Sequence, residues 1–196
     1  MYNPNQFKIT DTDEIEKFIS EYPFATVVSN GNEGPIISHL PVNKFSDGNL
    51  YGHMAVSNSH SDAEENTPVT AIFTGPHAYI SPTYYVSAFN VPTWNYSSVH
   101  CTGKLKFISD AEVVWKLFNE MLLIYEGKEG WSLPNEEKFQ SLSNSIRFFC
   151  IESPKFEAKF KFNQNKTPED VKSVIDSLES NGEIEASIFM RNCQNG

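Results

Sequence analysis

The chain has 196 residues, of which 25 are acidic and 15 basic, so its formal net charge is −10. With 39% hydrophobic and 20% charged residues it has the composition of a globular protein, which excludes a disordered or collagen-like chain. No apolar run approaches the roughly 20 residues of a membrane helix, and the N-terminus shows no signal peptide. The three cysteines are scattered, which disfavours a disulfide framework or a zinc site and predicts a cytoplasmic protein.

The basic residues are few and unevenly placed. Thirteen are lysine and two are arginine, and none lies between Phe45 and Gly103. A nucleic-acid-binding face needs clustered Lys and Arg side chains to neutralise phosphates. The sequence therefore disfavours direct DNA binding by this chain alone.

In chain order, the first predicted element is a helix over residues 11–21. Asp11 and Glu14 form a start that resembles a capping box, and apolar residues follow at helical spacing. Short β-branched or alternating runs, separated by turn residues, then predict strands. These strands cover 23–29, 35–45, 50–57, 68–75 and 93–108, with GPHAYISP continuing as a separate extended segment after a break at Gly75–Pro76. Such short strands with tight turns are typical of a small barrel or sandwich.

The second half is predicted to be more helical. Asp110 is the expected N-cap of a helix that ends near residue 126, and residues 126–137 are predicted to be a loop. IRFFCIE is predicted to be a strand that Pro154 separates from a second strand, FEAKFKF. Thr167 is expected to cap a helix over 167–180, with Asp170 closing its capping box. We predict one mainly β domain over 1–180 with peripheral helices, and a C-terminal tail over 181–196.

Catalytic and metal motifs are not found. All five histidines lie between residues 39 and 100, but no pair has a metal-binding spacing. Cys101 adjoins His100, yet neighbouring strand residues point to opposite faces, which argues against a Cys–His catalytic pair. No G-x-S-x-G, P-loop or G-x-G-x-x-G motif is present. The sequence identifies no catalytic residue and predicts no metal site.

The densest group of chemically distinctive residues is FTGPHAYISPTYYVSAFNVPTWNYSSVH, residues 73–100. It contains seven aromatic residues, three prolines and two histidines. Amphipathic rings beside rigid turns favour a pocket for a flat heteroaromatic ligand or a subunit interface. An aromatic-rich barrel core is the alternative interpretation.

Seven motifs occur in an order that resembles a known family. They are MYNPNQF, YPFATVVS, SHLP (38–41), GHMA (52–55), FTGPHAYISP (73–82), VPTWNYSSVH (91–100) and KFNQNKTPED (161–170). Over residues 1 to about 180 the chain resembles the PaiB family of FMN-binding negative transcriptional regulators. The resemblance implies the FMN-binding split β-barrel of Greek-key type, which is related to pyridoxamine-phosphate oxidases.

The resemblance further implies a homodimer with FMN in a cleft between the subunits. It places a group of cofactor-binding residues in this sequence: His53, Asn58, His77, Tyr79, Ser81, Trp94, Asn95, His100, Lys161, Gln164 and Asn165. Among them, Trp94, Asn95, His77 and Tyr79 are expected to line the cleft, with His53, Asn58 and His100 near it.

The sequence also departs from the family pattern. The family has an arginine where this chain has Val56, and a tryptophan where it has Tyr84, and the lysine common after the SPxxY segment is missing. Since charge-assisted bonds to phosphate are strong, we expect FMN to bind more weakly than in the family at large. Two alternatives stay open: a small flavin-dependent oxidoreductase, in which the cofactor supplies the redox chemistry, and a flavin-free ligand-binding module.

Overall fold

The computed structural model describes residues 1–133 and 136–194, which contain seven strands and five α-helices. The strands are β1 (Lys8–Ile9), β2 (Phe24–Gly31), β3 (Gly34–Lys44), β4 (Leu50–Ala55), β5 (Pro68–Ile80), β6 (Thr93–Ile108) and β7 (Ile146–Lys161). The helices are α1 (Thr12–Glu21), α2 (Ala111–Glu126), α3 (Glu136–Ser143), α4 (Pro168–Ser180) and α5 (Ile184–Asn192). Three short 3₁₀ helices cover Asn5–Phe7, Ser59–Asp62 and Pro82–Tyr84. No helix in the described ranges is long and apolar enough to cross a membrane.

The strands form one sheet with the order β1-β7-β4-β3-β2-β5-β6, and β6 also pairs with β7. The strand order therefore closes on itself, as a barrel requires. The antiparallel register places Thr26 opposite His39 in β2–β3 and opposite Ile72 in β2–β5. The predicted mainly β class with peripheral helices is confirmed.

Two predicted strand breaks are absent. β5 continues through Gly75 and Pro76, and β7 continues through Pro154. The register of β5 with β2 ends at Ile72, so Pro76 lies beyond that stretch of hydrogen bonds. Pro154 likewise falls between the stretch of β7 that pairs with β4 and the stretch that pairs with β1. A proline is tolerated where no ladder hydrogen bond needs its missing N–H.

Three predicted helices are confirmed, and the structure contains two further α-helices. α1, α2 and α4 lie where expected, with Asp110 and Thr167 accepting N-cap hydrogen bonds. α3 and α5 were not predicted. α3 begins at Glu136, so the last two residues of the loop predicted over 126–137 belong to a helix. Residues 134 and 135 of that loop lie outside the described residues.

α5 lies within the predicted C-terminal tail, whose last two residues, 195 and 196, also lie outside the described part of the chain. Gly182 has a φ of 81°, the left-handed backbone with which many helices end, and it separates α4 from α5. The ring of Phe189 in α5 then packs against Phe160 and Phe162 of β7, with centroid distances of 5.1 and 4.9 Å. The boundary between domain and tail near residue 180 stays a prediction.

The chain divides into two compact units, each with its own buried apolar residues. The first unit comprises Met1–Phe18, Thr74–His100 and Glu157–Gly196, and the second comprises Ile19–Phe73 and Cys101–Phe156. In the first unit, Phe160 and Phe162 of β7, Leu178 of α4 and Met190 of α5 are all buried. In the second, Leu117 and Met121 of α2 form a buried cluster with Phe139 and Phe148.

Candidate functional site

Three predicted residues form an exposed aromatic group in the first unit. His77 and Tyr79 alternate along β5 on its exposed face, and Trp94 begins β6. The Trp94 ring centroid lies 6.2 Å from that of His77 and 6.0 Å from that of Tyr79, with the tyrosine edge-on. Trp94 keeps 55% of its surface exposed, which is high for a tryptophan. We call His77, Tyr79 and Trp94 the aromatic face.

Lys161 stands beside the aromatic face at the end of β7. Its Nζ donates to the Trp94 carbonyl oxygen at 2.7 Å and to the Thr93 hydroxyl. Burial, and then the neighbouring charge of Lys159, lower the pKa of Lys161. Within residues 1–133 and 136–194, no carboxylate forms an ion pair with this ammonium. A cation that lacks a carboxylate partner can bind an anionic group.

Lys159 is a second cation on the same side of β7, two residues from Lys161 and buried. Its Nζ donates to the Tyr2 carbonyl oxygen at 3.1 Å and lies about 5 Å from the rings of Tyr2 and Tyr96. These contacts hold the charge in place by cation–π attraction. Along β6, His100 is partly buried, and burial followed by the N-terminal ammonium lowers its pKa.

Four other predicted residues of the first unit are not part of the aromatic face. Asn95 faces the interior, fully buried, with its Nδ2 3.8 Å from the Met190 sulfur and its Oδ1 without a hydrogen-bond partner in the structure. Ser81 caps the 3₁₀ helix Pro82–Tyr84 through the Thr83 N–H. Gln164 accepts from the Phe162 N–H and donates to the Phe160 carbonyl oxygen, which closes the end of β7. Asn165 is exposed.

His53 and Asn58 belong to the second unit. His53 is partly buried, with its ring centroid 5.4 Å from that of Phe148, and burial lowers its pKa. Its Nδ1 is buried without a hydrogen-bond partner in the structure. The Asn58 side-chain oxygen accepts from the Ser38 hydroxyl and the His60 N–H, both at 2.9 Å. The side-chain oxygen of Asn58 therefore already accepts two hydrogen bonds within the protein.

His60 and Ser38 were not predicted as site residues. His60 is fully buried, and its Nδ1 lies 2.7 Å from the Ser38 hydroxyl, while its Nε2 has no hydrogen-bond partner in the structure. Burial lowers the pKa of His60. The polar stretch SNSHSDAEEN gave no sign that one of its residues would be fully buried.

The turn over residues 55–61 overlaps residues 52–58, where the resemblance implies the FMN phosphate, and most of its N–H groups already donate within the protein. The backbone N–H groups of Val56 and Asn58 donate to the carbonyl oxygens of Ser145 and Ala55. The N–H of Ser61 donates to Asn58 O, and that of His60 to Asn58 Oδ1. The exposed side chains there that can donate to a phosphate are the hydroxyls of Ser57 and Ser59.

A loop over residues 85–91 presents apolar side chains although it is held at several points. Asp170 accepts hydrogen bonds from the N–H groups of Val86 and Ser87, both at 3.0 Å, and from the Ser87 hydroxyl at 2.7 Å. Asp170 was expected to close the α4 capping box, and its N–H does donate to the Thr167 hydroxyl at 3.2 Å, but its carboxylate binds this loop. Its carboxylate has three donors in the loop, and these bonds lower its pKa. The loop is thereby fixed while Phe89 stays 85% exposed.

The residues present fit a flavin nucleotide in two respects. The aromatic face suits a flat heteroaromatic ring, and Lys161 suits an anionic group. The turn at 55–61 fits a phosphate less well, since Val56 is apolar and most of the local N–H groups are used. The predicted site residues that the structure brings into one group are therefore His77, Tyr79, Trp94 and Lys161.

Comparison with solved structures defines the class of fold. The chain is similar to the flavocytochrome of Azotobacter vinelandii, with a TM-score of 0.62 and 16% identity over 79% of this chain and 69% of that chain. It is also similar to the FAD and heme binding protein of Mycobacterium smegmatis, with a TM-score of 0.60 and 13% identity over 87% and 79% of the two chains. The fold is the split barrel, as the resemblance implied.

Comparison of sequences then gives the family. Residues 1–153 match the family model described as "Putative FMN-binding domain", and the chain belongs to that family. A curated relative, the protease synthase and sporulation protein PAI 2 of Bacillus subtilis strain 168, is 36% identical over 188 residues. The alignment covers 92% of this chain and 90% of the relative. The resemblance to the PaiB family is thus confirmed.

Proposed function

We propose that this protein binds FMN at the aromatic face and acts as a PaiB-type negative regulator of transcription. Membership of the FMN-binding family and the 36% identity to PAI 2 support this proposal. The observation that carries it is the grouping of His77, Tyr79 and Trp94 beside Lys161, a cation with no ion-pair partner within the described residues.

In the proposed site each residue of the group has a binding role. Trp94 and Tyr79 contact the flat ring of the flavin, and Lys161 binds an anionic group of the cofactor. His77, whose Nδ1 lies 3.3 Å from the Gly75 carbonyl oxygen, holds its ring against Trp94. Bound FMN supplies a redox-active ring. His100 is a further proposed contact of the cofactor in the first unit, and Ser81, Gln164 and Asn165 shape the adjacent turns.

We further propose that the protein is a homodimer in the cytoplasm and that it does not contact DNA on its own. The exposed side chains of Tyr79, Phe89 and Trp94 support a subunit interface. The three cysteines are free thiols, which suits a reducing compartment. The net charge of −10 opposes binding to nucleic acid.

The test of FMN binding begins with the visible absorption spectrum of freshly purified protein, followed by titration with FMN. Replacing Trp94 by alanine removes the largest ring of the aromatic face. We expect Trp94→Ala to weaken FMN binding by roughly threefold to tenfold, the usual worth of one aromatic contact. Circular dichroism should show an unchanged fold, because Trp94 is already exposed.

Trp131→Ala is the matched control. Trp131 is 58% exposed, close to the 55% of Trp94, but it belongs to the second unit and to none of the family motifs. This variant should bind FMN as the unmodified protein does. Equal FMN affinity in Trp94→Ala and the unmodified protein would remove Trp94 from the site.

A further inference from the structure

A separate cavity lies entirely within the second unit. It has a volume of about 380 Å³ and lies between the end of β6, the start of α2, α3 and the start of β7. Small-molecule pockets span about 300–1,000 Å³, so this cavity is at the lower end and suits a ligand smaller than a flavin nucleotide. None of the residues predicted for FMN lines it.

The cavity combines an apolar wall with two charges of opposite sign. Phe139, Phe148 and Val114 supply the apolar wall; the two phenylalanines belong to the buried cluster with Leu117 and Met121, and Val114 packs against it. Arg147 and Glu65 supply the charges. Although both line the same cavity, no ion pair within 4.0 Å involves either residue in the described part of the chain.

Arg147 is held so that part of its guanidinium stays available. It stacks on the Phe107 ring, 3.5 Å from the centroid, and one nitrogen donates to the Ser61 carbonyl oxygen. A guanidinium has five N–H donors, so several remain for a ligand. The fixed planar fork is well matched to a carboxylate.

Glu65 is held in a similar way. One of its carboxylate oxygens accepts the Phe107 N–H at 3.0 Å, which leaves the other oxygen for a ligand donor. Phe107 therefore positions both charges, the guanidinium through its ring and the carboxylate through its backbone.

We propose that this cavity binds a free α-amino acid with an apolar side chain. Arg147 binds the α-carboxylate, Glu65 binds the α-ammonium, and the side chain contacts Phe139, Phe148 and Val114. A ligand with one charge would make a charge-assisted hydrogen bond to only one of the two residues, whereas a zwitterion would make both. The recognised class is therefore a zwitterion with an apolar body.

Isothermal titration of the full-length protein with L-phenylalanine tests the proposal. We expect one site per chain, and at least about tenfold weaker binding of 3-phenylpropanoate, which lacks the ammonium, and of 2-phenylethylamine, which lacks the carboxylate. Absence of binding at about 10 mM L-phenylalanine would overturn the proposal. So would equal affinity for the amino acid and both analogues.

Two substitutions test whether Arg147 binds the carboxylate of the ligand and Glu65 its ammonium. Arg147→Gln should abolish binding of L-phenylalanine, and Glu65→Gln should make L-phenylalanine and 3-phenylpropanoate bind equally. The matched controls Lys104→Gln and Glu64→Gln change exposed charges that do not line the cavity, and they should bind normally. Unchanged binding in both Arg147→Gln and Glu65→Gln would refute the assignment.

A third variant covers the case in which Arg147→Gln fails to fold. Ala111 lines the cavity from the first turn of α2 and is exposed, so Ala111→Trp should obstruct the cavity without disturbing the buried cluster. We expect it to melt like the unmodified protein and to lose L-phenylalanine binding. A folded Ala111→Trp protein with full affinity would place the ligand elsewhere.

Discussion

At the residue scale, Val56 decides how strongly the turn over residues 55–61 can bind a phosphate. Its side chain is 48% exposed and carries no charge, whereas the resemblance implies an arginine at this position. The local N–H groups of Val56, Asn58, His60 and Ser61 are used within the protein. A guanidinium added here would therefore be the main donor to an anion at the turn.

We predict that Val56→Arg tightens FMN binding by about tenfold or more, because one charge-assisted bond contributes roughly 1.5–3 kcal/mol. The gain should shrink at high salt, and riboflavin, which has no phosphate, should gain nothing. Fluorescence titration with both flavins measures this. Val113→Arg, at a valine of α2 that is 45% exposed, controls for added charge. An equal gain for riboflavin would show that the phosphate is not at this turn.

A second prediction at the residue scale concerns His60 and the pH dependence of the free energy of unfolding. Burial lowers the pKa of His60 below the usual 6.5 of a histidine side chain, so the folded protein favours the neutral ring. The unfolded chain then binds more protons just below pH 6.5, and the free energy of unfolding falls as the pH drops through that value. His53 and His100 shift in the same direction and add to the effect.

Urea denaturation at pH 7.5 and pH 5.5 should therefore show lower stability at the lower pH. His60→Gln should reduce this difference, since it removes one of the three titrating rings. His39→Gln, an exposed histidine next to Ser38 on β3, is the control and should keep the pH dependence. A pH dependence that is the same in His60→Gln and the unmodified protein would contradict the assignment.

At the scale of elements, the KFNQNKTPED motif and α4 hold the aromatic-rich segment in place. Besides the three hydrogen bonds to Asp170, Asn163 donates to the Tyr85 hydroxyl at 3.1 Å, and Lys166 donates to the Asn90 side-chain oxygen at 2.6 Å. Two motifs that are distant in sequence thus act as one structural part within the first unit. This explains why a loop with exposed apolar side chains can keep one conformation.

Asp170→Asn tests this connection. An amide has one acceptor oxygen instead of two and carries no charge, so the three donors of Val86 and Ser87 lose part of their acceptor. We expect the amide hydrogens of Val86 and Ser87 to exchange with solvent at least about tenfold faster. Glu169→Gln, at the exposed neighbouring position, is the matched control and should leave both exchange rates unchanged.

At the scale of the whole molecule, we predict self-association. Tyr79, Val86, Phe89, Val91 and Trp94 are all exposed within the first unit, and a group of exposed apolar side chains often marks a subunit interface. Light scattering at micromolar concentration should give twice the 22.2 kDa of one chain. Phe89→Glu should shift the protein towards the monomer and weaken FMN binding, whereas Ile188→Glu, on α5, should do neither. A one-chain mass with FMN bound would exclude the shared cleft.

Local sequence patterns determined most of the secondary structure. The bounds of α2, α4 and β6 follow from caps and from periodicity, which act over a few residues and can be read from the chain. The motifs also determined the family, because several of them, such as GPHAYISP and VPTWNY, are long and occur in order.

The tertiary structure alone decided which residues meet. Pro76 lies beyond the stretch in which β5 pairs with β2, and Pro154 lies between the stretches in which β7 pairs with β4 and with β1. The sequence of a strand does not show which strands lie beside it. The partners of Asp170 are more than 80 residues away, so its capping pattern could not reveal them. The same holds for Glu65 and Arg147, whose opposite charges line one cavity although 81 positions separate them. Such contacts depend on long-range packing, and no local pattern encodes them.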